Sequence, residues 1–199
     1  EIYMFNLSNL LASLVGIAIA ISIHEFGHAY SAHLLGDDTA KYNGRMTLNP
    51  AKHIDPIGLL TLIFFHIGWA KPVPVNPNNF KNYKLGNLIV SLSGVIGNLI
   101  GAIICATIAK YANMYAIKLI FNQAMWLNIY FGAFNLLPIP PLDGWGVVSS
   151  LLPYKFNDFI YKYENMGYIV LLLAIFTDAY LIITRPITML FYIIVSPFM

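Results

Sequence analysis

The sequence predicts an all-α, multi-pass membrane protein with about five to six transmembrane or re-entrant helical segments and a short membrane-associated β-hairpin after the first helix. Three observations carry that prediction. Hydrophobic residues make up 58% of the 199 and charged residues 10%, against roughly 45–50% and about 25% in a soluble domain. Mean hydropathy is +0.68, more apolar surface than a water-soluble fold of this length can hide. The apolar residues also gather into separate long runs bounded by Gly, Pro, Asn or charge. One membrane-embedded domain is expected over residues 1–199, with a core at 7–152 and C-terminal helices at 165–199.

The first run, Leu7 to Leu35, contains no proline and only Gly16 and Gly27. Its 29 residues make a helix of about 44 Å, longer than the roughly 30 Å hydrocarbon core. Residues 7–23 have the hydrophobicity of a signal peptide. No positive charge precedes them and no small-residue cleavage site follows, so a spanning helix is expected. In residues 36–56, Gly, Asn, Pro and charges end the helix, and weak alternation around Asn43-Gly44 predicts the β-hairpin. Ile57 to Trp69 is too short to cross a bilayer and is expected to be re-entrant. Prolines at 72, 74 and 77 then force an extended path.

Leu85 to Ala109 is the second clear span, and its Gly97-x-x-x-Gly101 predicts close helix approach. Ala116 to Leu137 is a third, stopped by Pro138. Tyr168 to Ile183 is a fourth, with a fifth from Pro186 onward. Cys105 is the single cysteine, so no intrachain disulfide forms, and it is expected to pack as a small apolar residue.

A net charge of +2 gives no pull toward nucleic acid. Its distribution is more informative. With the N-terminus outside, residues 36–84 and 139–163 hold eight Lys and Arg, and the opposite side holds Lys110, Lys118 and Arg185. By the positive-inside rule the first set faces the cytoplasm.

The chemistry begins at His24-Glu25-Phe26-Gly27-His28. On a helix, positions i and i+4 share one face, so the two imidazoles can converge on one tetrahedral metal. Glu25, beside them, can act as general base toward water. Ionisable groups inside a membrane span cost roughly 2.5–3.5 kcal/mol each near its centre and are functional suspects by default. His24 lies 11 residues from Leu35, about 16 Å by helical rise, which places the site in the hydrocarbon but off-centre. A catalytic zinc needs a third protein ligand. Asp143, after the break at Pro138, Pro140 and Pro141, is the candidate; its alternative role is to N-cap a helix starting near Gly144. Asn98 and Asn135 are candidates for holding a substrate carbonyl or an oxyanion, or else for hydrogen bonding between helices. His33, His53 and His66 read as polar interface residues.

With those residues in view, HEFGHAY, GRMTLNPAKHIDPIG, GWAKPVPVNP, SLSGVIGN and NLLPIPPLDG, in this order, resemble the site-2 protease family of intramembrane zinc metalloproteases. The resemblance covers residues 20 to about 150 and is to a compact type without PDZ or CBS domains. It implies one zinc per chain held by His24, His28 and Asp143, with Glu25 as the catalytic glutamate. It also implies that the hairpin formed by Tyr42, Asn43, Gly44, Arg45, Met46, Thr47 and Leu48 holds an unfolded substrate strand. The partners implied are a transmembrane protein or peptide substrate and the lipid bilayer of a bacterial or archaeal cell, with the active site toward the cytoplasm. One position departs from the pattern. The family's Gly-Pro-x-x-Asn reads Gly94-Val95-Ile96-Gly97-Asn98, without the proline whose ring kinks a helix.

The function expected is hydrolysis of a peptide bond within or near a substrate's transmembrane segment. The rival is a metal-ion transporter using intramembrane His and Asp ligands, which has no need of a glutamate beside the first histidine. A catalytically inert homologue that only binds membrane clients is the other alternative.

Overall fold

The structure is a computed structural model that describes residues 7–65 and 68–199. Among these residues eight α-helices follow one another: α1 (Leu7–Leu34), α2 (Thr39–Tyr42), α3 (Pro56–Phe65), α4 (Tyr83–Tyr111), α5 (Tyr115–Asn135), α6 (Asp143–Leu151), α7 (Asn157–Phe176) and α8 (Leu181–Val195). Among the described residues, four helical stretches are long and apolar enough to cross a membrane: α1, α4, Tyr154–Phe176 and Leu181–Phe198. The 21-residue α5 was expected as a span but is not among them. It carries Lys118, Asn122, Gln123 and Asn128 and packs against both α1 and α4.

Small residues at four-residue spacing bring the central helices together. In α1 the buried stripe is Ala12, Gly16, Ala20, His24, His28 and Ala32. In α4 it is Gly86, Val90, Gly94, Asn98, Ala102 and Ala106. Stripes of this period are the ridges along which helices pack, and side chains of this size let membrane helices approach closely. Gly97 and Gly101 both face Ile23 of α1: a Cβ on Gly97 would lie 3.2 Å from the Ile23 carbonyl oxygen, and one on Gly101 would lie 2.8 Å from Ile23 Cδ1. Cys105 sits in the core between α4 and α5 with Ala102, Met125 and Ile129. Helix α4 runs unbroken through Val95, as the missing proline predicts.

The expected β-hairpin after the first helix is not formed. Among the described residues the sole β pairing is an isolated antiparallel bridge between Ile54 and Ala70. Residues 39–42 are helical, and Asn43-Gly44 closes that helix instead of turning a hairpin. Gly44 has φ +63, its N–H bonds to the Lys41 carbonyl, and the Arg45 N–H bonds back to the Ala40 carbonyl. This is a Schellman cap, and Gly36 (φ +101) ends α1 in the same way. The Asn-Gly pair did signal a left-handed residue, but the same backbone demand serves a helix end as well as a hairpin.

Helix α3 has ten residues, about 15 Å or half the hydrocarbon thickness. The C-terminal helices are divided differently from the expected fourth and fifth spans at Tyr168–Ile183 and Pro186 onward. The break falls at residues 177–180, where Asp178 takes φ +56, and Pro186 lies inside α8. Its missing N–H removes the bond to the Ile182 carbonyl, a loss that membrane helices tolerate where neighbouring groups or local backbone adjustment satisfy the freed carbonyl.

Candidate metal centre

Helix α1 delivers His24 and His28 from adjacent turns of its buried stripe, and α6 delivers Asp143 from its first residue. Asp143 is helical, and Leu142 is the N-cap without a side-chain cap bond, so the capping role does not explain this carboxylate. Close packing makes room for it. A Cβ on Gly144 would run into the Leu136 and Leu137 carbonyls, and a Cβ on Gly94 would enter the His28 imidazole.

The three ligand atoms converge. His24 Nε2 and His28 Nε2 are 3.0 Å apart, and Asp143 Oδ2 lies 3.2 Å from the first and 3.3 Å from the second. A tetrahedral zinc with bonds of roughly 2.0–2.1 Å needs ligand atoms about 3.3 Å from one another. The outer hydrogen bonds fix which nitrogens face inward. His28 Nδ1 is 2.7 Å from the Val90 carbonyl, which can only accept, so Nδ1 carries the proton. His24 Nδ1 is 2.7 Å from Asn98 Oδ1. The orientation of that amide is set because Asn98 Nδ2 donates to the Ala20 carbonyl and to Asn128 Oδ1, and Asn128 Nδ2 in turn donates to Ala124.

With neutral rings, both Nε2 atoms therefore present lone pairs, and their 3.0 Å approach is not a hydrogen bond. Among the described residues, no hydrogen-bond donor reaches the buried Asp143 Oδ2. Three acceptors with no proton among them are repulsive unless a cation occupies the space. Histidine ligands whose other nitrogen donates to a carbonyl are the usual arrangement around a bound metal. His24, His28 and Asp143 are thus a group that can hold a metal ion, and the donor set suits zinc.

Glu25 is 6% exposed, and its Oε2 accepts the Val73 N–H at 2.7 Å. Val73 belongs to the extended Ala70–Asn76 segment, which lies against α1 and α2 through Ala29 and Ala40. A buried aspartate pins the end of this segment. Asp37 accepts from the Thr39 hydroxyl and N–H, the Asn76 N–H and Asn79 Nδ2. Burial works to raise its carboxyl, but these bonds outweigh burial and hold it below the ordinary carboxylate value.

The remaining sequence candidates are scattered. Both amide hydrogens of Asn98 are taken, which leaves it no donor for a substrate oxygen. Asn135 closes α5, with Nδ2 on the Phe131 carbonyl at 2.9 Å. Tyr42 and Leu48 are exposed, Asn43 bonds back to Thr39, and Met46 packs beside Val73. Arg45 Nη2 donates to the Lys71 and Pro72 carbonyls, and the Thr47 carbonyl accepts from the fully buried His53. His33 pairs with Asp38, and His66 lies outside the described residues. Val90 and Val73 were not anticipated. Gly94 and Val90 share a visible four-residue spacing with Asn98, but Val73 acts through its backbone, which no side-chain pattern reveals.

Two cavities flank the centre. An apolar one of about 1180 Å³ lies between α1, α3, α5 and α8 and is lined by Ala20, Ile21 and Phe131 among others; the Phe131 ring packs 4.9 Å from that of His24. A polar one of about 630 Å³ is bounded by α4, α6 and α7 and includes Asp143, Asn87, Ser91 and Glu164.

A helical membrane body, two histidines and a carboxylate facing one another, and a second carboxylate alongside define a membrane metallohydrolase. Residues 73–176 match the sequence profile of peptidase family M50. The chain is 36% identical over 173 residues to the "putative zinc metalloprotease YwhC" of Bacillus subtilis, covering 82% of this chain and 79% of that one. It is 29% identical over 179 residues to the "putative zinc metalloprotease Rip2" of Mycolicibacterium smegmatis, covering 83% and 67%. The chain belongs to peptidase family M50, the site-2 protease family, and is a zinc metalloprotease. No solved structure matches it with significance.

Proposed function

We propose that this protein hydrolyses a peptide bond within or near the transmembrane segment of a membrane-protein substrate, in the manner of regulated intramembrane proteolysis. The convergence of His24, His28 and Asp143 beside Glu25 carries this reading. One zinc per chain, bound by these three residues, would polarise the scissile carbonyl and make water nucleophilic near neutral pH. Glu25 takes the proton from water and passes it to the leaving amine. Asn98 and the Val90 carbonyl hold the two imidazoles in the ligating tautomer. Asn135, which has an amide hydrogen beyond the one given to Phe131, is the candidate for the substrate carbonyl.

A substrate helix hides its carbonyls in i to i−4 bonds, so it must unwind locally before attack. The apolar cavity beside α1 suits the helical part of such a substrate, and the polar cavity beside Asp143 suits water. The protein is placed in a bacterial or archaeal cell membrane, with the site toward the cytoplasmic face. Support for the orientation is the block of six Lys and Arg from Lys41 to Lys84, all in or beside the segment that joins α1 to α4.

Metal analysis and cleavage assays test the proposal together. Wild-type protein is expected to hold one zinc per chain and Asp143→Ala none. Glu25→Gln should keep the zinc and lose cleavage by roughly 10²–10⁴-fold. Undiminished cleavage by Glu25→Gln would refute the mechanism.

A further inference from the structure

Among the described residues, Glu25 is hydrogen-bonded through one oxygen, Oε2, and the donor is the Val73 N–H. Val73 stands between Pro72 and Pro74, so its N–H is the single backbone donor of residues 72–74. The same prolines restrict Lys71 and Val73, the residues before them, to extended backbone. The segment is stiff and has one hydrogen to give.

That N–H belongs to the peptide group whose oxygen is the Pro72 carbonyl, and Arg45 reaches this oxygen. Arg45 Nη2 lies 3.1 Å from the Pro72 carbonyl and 2.7 Å from the Lys71 carbonyl. Among the described residues no carboxylate pairs with Arg45, and its side-chain hydrogen bonds are the two that Nη2 gives to these carbonyls. The 72–73 peptide is trans, and a planar trans peptide points its C=O and N–H in opposite directions. Fixing the oxygen therefore aims the hydrogen. A cation on the oxygen also polarises the unit and strengthens the N–H as a donor to a carboxylate. The chain runs from the Arg45 guanidinium through one peptide plane to Glu25.

We infer that Arg45 is a positioning residue for Glu25. Acting through the Pro72–Val73 peptide, it holds the carboxylate by Oε2 and leaves Oε1 free for the reacting water. The inference rests on Glu25 being the general base, and it gives Arg45 a role other than contact with substrate.

The test uses the full-length, zinc-loaded protein and a single-span reporter peptide selected for cleavage by the wild type. The variants are Arg45→Ala, Arg45→Lys, an ester in place of the 72–73 amide (α-hydroxyvaline at position 73), the ester combined with Arg45→Ala, and Glu25→Gln. Arg45→Ala and the ester should each lower kcat by roughly 10- to 100-fold, the loss that slight misplacement of a catalytic group produces. KM should stay within about twofold and zinc content at one per chain, and Arg45→Lys should recover part of kcat. The combined variant should be little worse than the ester alone, because both cut the same chain of bonds. A wild-type kcat for the ester, or losses that multiply in the combination, would overturn the inference. Should Arg45→Ala fail to fold, the ester still decides, since it keeps every side chain. A fully active Glu25→Gln would instead remove the proposed mechanism, so the two failures are distinguishable.

Discussion

Helices α4 and α7 both meet the length and hydropathy expected of a membrane span, yet they are built for different neighbours. Of the most apolar window, 44% is buried in α4 and 6% in the Tyr154–Phe176 stretch that contains α7. Helix α4 presents Gly86, Gly94, Asn98 and Ala102 to its partners, whereas Gly167 is the buried residue of α7, placed against Pro140. Phe159, Tyr168, Ile169 and Leu173 face outward from α7. In lipid there is no hydrophobic drive between helices, so association needs small residues, close packing and polar contacts. Helix α4 has all three and carries the second layer of the metal centre. Helix α7 is tied mainly by the Trp145 Nε1–Glu164 bond at 3.0 Å and by Trp145 packing on Tyr163.

The contrast can be broken by experiment. Ile129 is fully buried in the core shared by α4 and α5, so Ile129→Ala should cost about 2–5 kcal/mol. Leu173 on α7 is 60% exposed, and Leu173→Ala should stay within about 0.5 kcal/mol. Denaturant unfolding in mixed micelles measures both, and equal losses would erase the distinction. A sharper probe is Gly94→Ala, whose Cβ would enter the His28 ring. Zinc affinity, followed by chelator competition, should fall by roughly 10- to 100-fold. Unchanged affinity would mean that α1 and α4 can separate at no cost.

A smaller loss than that of Ile129→Ala is expected at Asp37, outside the helical core. Its carboxyl is held below the ordinary value of 3.8, so the folded state binds its proton less readily than the unfolded state. The resulting stabilisation is complete well above pH 3.8 and is lost as pH falls through the lower folded value. Asp37→Asn should destabilise by about 1 kcal/mol at neutral pH, and the gap from wild type should close on acidification below that value. A gap that widened there would contradict the assignment.

Much of the centre was legible in residues 24–28, because helical spacing alone puts His24 and His28 on one face. Asp143 was legible as an ionisable residue behind Pro138, Pro140 and Pro141, where a lipid-facing carboxylate makes no physical sense. Asn98 was visible but its role was not. An asparagine can donate or accept, and only the contacts with Ala20, Asn128 and His24 show which end faces the histidine. Asn43-Gly44 misled for a related reason, since a demand for positive φ does not say whether a strand or a helix precedes it.

Sequence by itself determined the membrane class, the long apolar helices α1 and α4, and the placing of His24 and His28 on one helix face beside Glu25, because composition and local periodicity express these directly. Tertiary structure decided the rest. It brought Asp143 to 3.2 and 3.3 Å from the two histidines, set their tautomers through Asn98 and Val90, and laid the Val73 N–H on Glu25. These contacts join residues 48 to 119 positions apart in the chain. No local pattern encodes such pairs; they follow from how closely Gly and Ala stripes let the helices approach.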